Sequence, residues 1–443
     1  MSKRLLVLLS ALVLSSMILA ACGTAATPTA APTAAMTEAP TAAPTEAMTE
    51  APAMFECTDA IGCLTIGPSD PVHIAFWGVL SGANTTLGQD SQYGVELAID
   101  AMGGKWNGHD ILLTTEDGLC TPEGGATAAS KLATDTSLIA LVGSSCSDET
   151  VGGIAALTAA GLTTISPSNT RPVLTDPARG PDYAGYLRTA HSDAFQGKAV
   201  AEFAYNVLNA RKAATIHDGS AYAQALQQVF VDNFKALGGE VVAQEAVAKG
   251  DTDMKPVLTT VAAAAPDFLY FPVFVAEGGY LASQARETAG LETVPMMGSD
   301  GMFTADFATA AGAAAEGMYL SSPDFSLFPA GYTDFVAAYN EKFGTAPLSI
   351  FHAHAADATN IIFAALDQVA VTDADGTVHI GRQALRDAIY ATKDFAGFTG
   401  TLSCGEFGDC GAPVIAVYQI VNSDAASWNA QDPTNPNPKK VYP

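Results

Sequence analysis

The sequence predicts an α/β fold of two doubly wound lobes, each on a parallel sheet, with a ligand cleft between them. Three observations lead there. The chain has 443 residues, more than one ordinary domain holds. Hydrophobic residues make up 49%, enough for more than one core. From Pro71 onward, short apolar strands alternate with helical patterns in two successive series.

The first series opens on a strand over 72–78, VHIAFWG. A helix over 93–102 follows, with Val95, Ala98, Ile99 and Met102 on one face at i, i+3, i+4 and i+7. Strand 110–116, helix 126–134, strand 138–143, helix 151–160 and strand 162–166 continue it. The second series runs strand 212–217, helix 223–237, strand 240–246, helix 254–264, strand 268–273 and helix 278–289. Strand 295–298, helix 305–311 and strand 317–321 close it. Helices over 332–343, 354–368 and 381–391 come last. Crossovers of this kind place helices on both faces of a parallel sheet. Two such lobes take a small ligand between the C-terminal ends of their strands, where helix N-termini also point.

The N-terminus lies outside this pattern. Lys3 and Arg4 precede an apolar run from Leu5 to Ala21, the layout of a secretory signal over 1–21. The run is short for a span of ~20 residues. Its end, Leu19-Ala20-Ala21-Cys22-Gly23, resembles the lipobox of bacterial lipoproteins. That resemblance implies cleavage before Cys22, diacylglycerol on its sulfur and acylation of the new amine. Two or three acyl chains hold a protein stably on a bilayer. Residues 22–54 are almost wholly Ala, Thr, Pro, Met and Glu, a Pro-stiffened tether that cannot form a core. The expected location is the extracytoplasmic face of a bacterial cell membrane.

Six cysteines remain once Cys22 is set aside, an even number in an oxidising compartment. Six allow about 15 connectivities. Proximity suggests Cys57–Cys63 and Cys404–Cys410, which leaves Cys120 with Cys146 across one strand–helix unit. A zinc site is the rival, but no C-x2-C pair is present. The formal net charge is -26, with 46 acidic and 20 basic residues, so the surface repels phosphate backbones and no nucleic-acid partner is expected.

Several segments carry a family resemblance. They are "IAFWGVLSGANTTLGQDSQYGVELAID" (74–100), "LVGSSCSDETV" (141–151), "TTISPSNTRPVLT" (163–175) and "YLRTAHSDAFQGKAVAEF" (186–203). "IHDGSAYAQAL" (216–226), "MMGSDGMF" (296–303) and "GFTGTLSCGEFGD" (397–409) follow. In order and spacing the chain resembles the periplasmic-binding-protein type I substrate-binding proteins of branched-chain amino-acid ABC transporters, the leucine/isoleucine/valine-binding kind. The likeness covers roughly 71–422. It implies a hinge of three crossings near 187–191, 320–324 and 399–403. One lobe would be 71–188 with 325–399, the other 190–323 with 401–428, and 429–443 a C-terminal tail. It also implies the Cys120–Cys146 disulfide, a separate permease and its ATPase as partners, and no enzymatic activity.

The same resemblance implies a ligand set. An amino-acid carboxylate needs hydroxyl and N–H donors at a helix start. Ser147 and Thr170 match the family's donors, within Ser168-Asn169-Thr170. The ammonium needs acceptors: the carbonyl of Ser168 and a carboxylate from the other lobe, matched by Asp300. Asp stands where the best-known members have Glu, one methylene longer. Tyr222 and Phe274 would wall the ligand, Phe274 without the hydroxyl a Tyr would bring. Trp77, at the end of the first strand, is placed at the cleft mouth. These departures leave open amino acids, amides, urea and aromatic acids. A same-fold receptor for such a ligand, feeding another importer or a sensor, is the alternative.

Blander roles compete for each residue. Ser147 can cap the helix after it, since Ser-Asp is a favoured N-cap. Asp300 can be a turn residue before Gly301. His352-x-His354 with Asp357 invites a metal, but no third strong ligand lies near and none is expected. His191 reads as structural. The one catalytic candidate is Gly143-Ser144-Ser145-Cys146-Ser147, which has Ser147 where a nucleophile elbow needs its last glycine. No Walker-type loop or dinucleotide fingerprint appears, so no cofactor is expected.

Overall fold

The computed structural model describes residues 55–411, 414–431 and 436–443. The signal, tether and Cys22 lie outside the described residues.

The first sheet forms around the fully buried run β2 (Val72–Gly78). Before it stands β1 (Cys63–Ile66). After it come α1 (Thr85–Ala101), β3 (Lys105–Trp106), β4 (His109–Asp117), α2 (Pro122–Ala133), β5 (Leu138–Gly143), α3 (Ser147–Ala159), β6 (Thr164–Ser166) and β7 (Tyr186–Arg188). The sheet order is β3-β4-β2-β5-β6-β7, parallel except for the β3–β4 pair. β5 is apolar on both faces because helices cover both.

The second series is α4 (Asp193–Glu202), β8 (Lys212–His217), α5 (Ala221–Ala236), β9 (Glu240–Ala246), α6 (Lys255–Ala263) and β10 (Phe268–Tyr270). Then come α7 (Val275–Arg286), β11 (Met296–Gly298), α8 (Ala305–Ala311) and β12 (Tyr319–Pro323). The chain returns as α9 (Gly331–Phe343), α10 (His352–Val369), β13 (Val371–Thr372), β14 (Val378–Gly381), α11 (Arg382–Tyr390), β15 (Phe395–Gly397) and β16 (Gly400–Leu402). It ends in β17 (Ile415–Gln419) and β18 (Lys439–Tyr442). The second sheet runs β18-β17-β12-β11-β10-β8-β9. In each sheet the first strand of the series lies between the second and third. Each lobe therefore reverses its strand order once and leaves a crevice at that point, above the C-terminal strand ends.

Helix α10 follows the second series but packs in the first lobe, where Ile361, Ile362 and Leu366 join Ile74, Phe76 and Val142 in one core. The buried Asp90 carboxylate of α1 pins its start, accepting from the Phe351 and His352 N–H groups (3.0 and 2.9 Å). Three disulfides form: Cys57–Cys63, Cys120–Cys146 and Cys404–Cys410.

The chain organisation differs from expectation at three places. Residues 439–442 are not a tail: β18 pairs antiparallel with β17 at the edge of the second sheet. The third crossing lies later than 399–403. Gly408 and Cys410 still hydrogen-bond to Arg188 of β7, and the second sheet is joined only at Ile415. The Cys404–Cys410 bridge closes the loop before that crossing. The first lobe also starts before residue 71, because β1 pairs with β14.

Several helices begin earlier than their apolar spacing predicts, among them α2 at Pro122, α5 at Ala221 and α7 at Val275. Helix α1 starts at Thr85, which brings Leu87 to the cleft. Helix α3 starts at Ser147, with Cys146 as N-cap. Helix α4 was not anticipated; Ser192 caps it by accepting from the Ala194 N–H (3.3 Å).

Candidate ligand-binding site

The turn Gly143-Ser144-Ser145-Cys146 between β5 and α3 is held from behind by one buried carboxylate. Glu149, in the first turn of α3, accepts from the N–H groups of Cys120 (2.9 Å), Ser145 (3.0 Å) and Cys146 (2.9 Å). One acid thus braces both halves of the disulfide. Burial pushes its carboxyl up to about 7, against the lowering effect of those N–H groups. Ser147 at the start of α3 does not act as the cap. Its Oγ is buried and has no hydrogen-bond partner among the described residues, and neither does Ser145 Oγ.

The segment after β6 lies alongside. Ser168 donates from Oγ to the Ser145 carbonyl (2.8 Å), locking the two turns together. Asn169 donates to Ser144 Oγ and Thr150 Oγ1 (3.0 and 2.6 Å) and so braces the turn from the far side. Thr170 Oγ1 is buried, and the Thr170 carbonyl accepts from the Asp193 N–H (2.8 Å).

The second lobe supplies the opposite wall. Tyr222, in the first turn of α5, donates to Asp300 Oδ1 (2.6 Å). Asp300 follows β11, and the Gln196 amide also donates to its Oδ1 (2.8 Å). Phe274 follows β10 and packs on Tyr222, ring centroids 5.3 Å apart.

Leu87, Ser145, Cys146, Ser147, Ser168, Tyr222, Phe274, Asp300, Gly301 and Phe351 line one cavity between the lobes. Its free volume is about 10 Å³, room for one water. The lobes are closed on it, and any solute enters only when they separate. Of the residues expected there, Ser147, Ser168, Tyr222, Phe274 and Asp300 meet at this cavity. Thr170 and Asn169 lie behind the wall.

Trp77 does not line it. The indole is fully buried beneath α2 and α3 with Ala129 and Leu157, and its Nε1 donates to Thr164 Oγ1 (3.3 Å). The close approach of Gly143 makes room for it: at φ 143°, a Cβ there would collide with the indole. Strand direction explains the misplacement, since Trp77 faces the helix layer while Gly78 and Val79 lead to the cleft.

Asp193 is the polar group that sequence reasoning missed. It opens α4 just past the first crossing, is wholly buried, and neither carboxylate oxygen has a hydrogen-bond partner among the described residues. Donor atoms of His191, Asp193 and Asp300 lie within 4.8 Å of one another. Burial, then repulsion from Asp300, drives the Asp193 carboxyl well above the usual carboxylate range. The nearby guanidinium of Arg188 is engaged with Asp409 and with the carbonyls of Asn169 and Arg171. His191 hydrogen-bonds the Gln196 side chain (2.8 Å), and burial lowers its pKa, so it stays neutral. The site therefore sets unpaired hydroxyls and a helix start on one side against two acids on the other.

Two other features of the fold do not form a site. His352, His354 and Asp357 do not converge. His352 meets Asp90 and Tyr332, while Asp357 accepts from the Phe398 and Thr399 N–H groups (2.7 and 3.0 Å). A larger cavity of about 420 Å³ is lined by Phe325, Phe328, Tyr332, Tyr418 and Lys440 among others. It is mostly apolar, and its lysine already pairs with Asp324 (2.6 Å). It gathers no convergent polar groups and is not the chemical centre.

Comparison with known proteins identifies the family. The family model described as periplasmic binding protein matches residues 71–424. An amino acid binding protein of Pseudomonas aeruginosa is 33% identical over 258 residues, 58% of this chain and 65% of that protein. The Leu/Ile/Val-binding protein homolog 3 of Brucella melitensis is 26% identical over 77% of this chain and 89% of its own length. The substrate-binding protein LivJ of Streptococcus pneumoniae, solved with isoleucine, superposes with a TM-score of 0.71 at 26% identity. That match covers 84% of this chain and 100% of LivJ. The chain belongs to the periplasmic binding protein family and has its type I fold.

Proposed function

We propose that this chain is the lipid-anchored solute receptor of an ABC importer, closing its lobes on the zwitterion of a branched-chain or related apolar amino acid. One observation carries the reading. Buried hydroxyls of Ser145 and Ser147, without partners among the described residues, lie on one lobe, and the acids Asp193 and Asp300 lie across from them with no lysine or arginine paired to them among the described residues. Buried polar groups left unpaired are costly, so the arrangement suits a ligand that supplies both an anion and a cation. The carboxylate would sit on Ser147 at the N-terminus of α3, and the ammonium between Asp193, Asp300 and the Ser168 carbonyl.

Leu87, Phe274 and Phe351 supply the rest of the wall and favour an apolar side chain. The relatives' names, which include leucine, isoleucine and valine binding, support the same class. Anchoring rests on the lipobox resemblance at Cys22, and delivery to a permease rests on the family. Closure would draw on ligand contacts made only when the lobes meet.

A calorimetric screen against amino acids, amides, urea and benzoate tests this. Leucine, isoleucine or valine should bind, and Ser147→Ala or Asp300→Ala should abolish it. Binding confined to ligands without an ammonium, indifferent to both substitutions, would refute it.

A further inference from the structure

Two polar contacts cross the cleft without lining the cavity between the lobes. Asp148 stands next to Ser147 but is not part of the cavity lining. Both of its carboxylate oxygens face the Ala221 N–H of the opposite lobe (3.2 and 3.1 Å). Ala221 opens α5, whose N-cap Ser220 accepts at its hydroxyl from the Ala223 N–H (3.1 Å). The Ala221 donor is one that a helix cannot satisfy internally. A carboxylate from the other lobe caps it and also meets the positive end of the helix. Beside it, Lys249 of the second lobe donates to the Cys120 carbonyl of the first (2.9 Å). Its ammonium also lies near Asp148 and 5.8 Å from the Phe274 ring centroid, over the outer face of that wall. Asp218, held by the Ser220 N–H and hydroxyl, is the like charge nearby, so Lys249 offsets the repulsion between the two acids.

We propose that Asp148 and Lys249 form an interlobe latch that sets ligand affinity by stabilising the closed state without touching the ligand. The assignment rests on the amino-acid reading above only for its affinity measurement. Both contacts can exist only when the lobes are shut, so their free energy is differential between open and closed forms, which is what shifts such an equilibrium. Asp148 is nearly buried and its bond is charge-assisted, whereas Lys249 is exposed. The acid should therefore matter more, and the lysine should fade with salt.

The experiment uses L-leucine and L-isoleucine as probes on wild type, Asp148→Ala, Asp148→Asn, Lys249→Ala and the double variant. Calorimetry and stopped-flow give Kd, kon and koff, and X-ray scattering without ligand gives the radius of gyration. Asp148→Ala should weaken Kd roughly tenfold, the scale of one charge-assisted hydrogen bond, and the change should appear in koff. Lys249→Ala should weaken it less, and the effect should shrink at high salt. The double variant should lose less than the product of the single losses. Ligand-free Asp148→Ala should scatter as a more open particle. Asp148→Asn, which keeps shape and one acceptor oxygen, should fall between.

Unchanged koff together with an unchanged radius in Asp148→Ala would overturn the latch. If neither probe binds wild type, the amino-acid reading fails by itself. The scattering comparison then decides the latch alone, an opened Asp148→Ala particle supporting it and an unchanged one overturning it.

Discussion

Replacing Cys120 and Cys146 together by alanine separates two jobs that the site's turn performs. Their bridge closes a loop with a sequence separation of 26. Loop-closure entropy for that length comes to ~3.5 kcal/mol at 25 °C, against ~2.2 kcal/mol for a separation of 6, that of Cys57–Cys63 and Cys404–Cys410. Most of this acts on the unfolded chain. In the folded state the turn keeps a second brace, the three N–H bonds to Glu149, which need no sulfur. The double variant should therefore lose about 3.5 kcal/mol in urea unfolding, more than a Cys57/Cys63 double variant. Its affinity for isoleucine should change less than about tenfold. Dithiothreitol should destabilise both proteins through the Cys57–Cys63 and Cys404–Cys410 bridges, and the wild type by about 3.5 kcal/mol more than the variant. The opposite pattern, lost affinity at unchanged stability, would mean that the disulfide and not Glu149 shapes the anion turn.

Four further outcomes follow from the same geometry. Glu149 holds its proton up to about 7 when folded and only to about 4.5 when unfolded, so the folded state binds the extra proton in that window. Its stabilising contribution is complete below pH 4.5 and is lost as pH rises through 7, by at most ~3 kcal/mol; Glu149→Gln should flatten that part of the urea-midpoint profile. Asp193 is held protonated above the usual carboxylate range, so an incoming ammonium should displace a proton. Calorimetry in two buffers of different ionisation enthalpy should detect the release, Asp193→Asn should abolish it, and affinity should fall as pH drops. Trp77→Phe should destabilise by less than the ~3–5 kcal/mol of full truncation and leave affinity intact, which a ligand-wall residue would not do. Leu87→Ala should enlarge the cavity and move preference toward longer apolar side chains, read as a change in the ratio of methionine to valine affinity.

The fold was legible because it rests on periodicity. Strands 72–78, 138–143, 212–217 and 240–246 coincide with observed strands to the residue, since helices or loops bound them sharply. Helix starts were less legible. In α1 and α3 the first turns, Thr85 to Asp90 and Ser147 to Thr150, are polar or small apart from Leu87, so apolar spacing begins only a turn or two inside. The strand β18 was missed because Lys439-Lys440-Val441-Tyr442 has no fully buried face and does not alternate apolar with polar, and it pairs only at a sheet edge.

The site was legible where a residue follows a strand directly and obscure where it faces inward by geometry alone. Ser147, Tyr222, Phe274 and Asp300 each sit just past the C-terminal end of a strand in a doubly wound lobe, where such folds place ligand groups. Trp77 lies one residue inside that limit, and alternation turns it into the helix layer. Asp193 gave the opposite error. "HSDAF" reads as a plain helix start, Ser192 capping with an acid behind it. Only the fold reveals that this helix begins at the first crossing, beside Asp300 of the following sheet. In a solvated first turn Asp193 would be a favourable but ordinary charge. Buried within 4.8 Å of a second acid and a neutral imidazole, it cannot remain an uncompensated anion. It needs either a proton or a cation, and under the proposed function the exchange of one for the other would couple lobe closure to an ammonium-bearing solute.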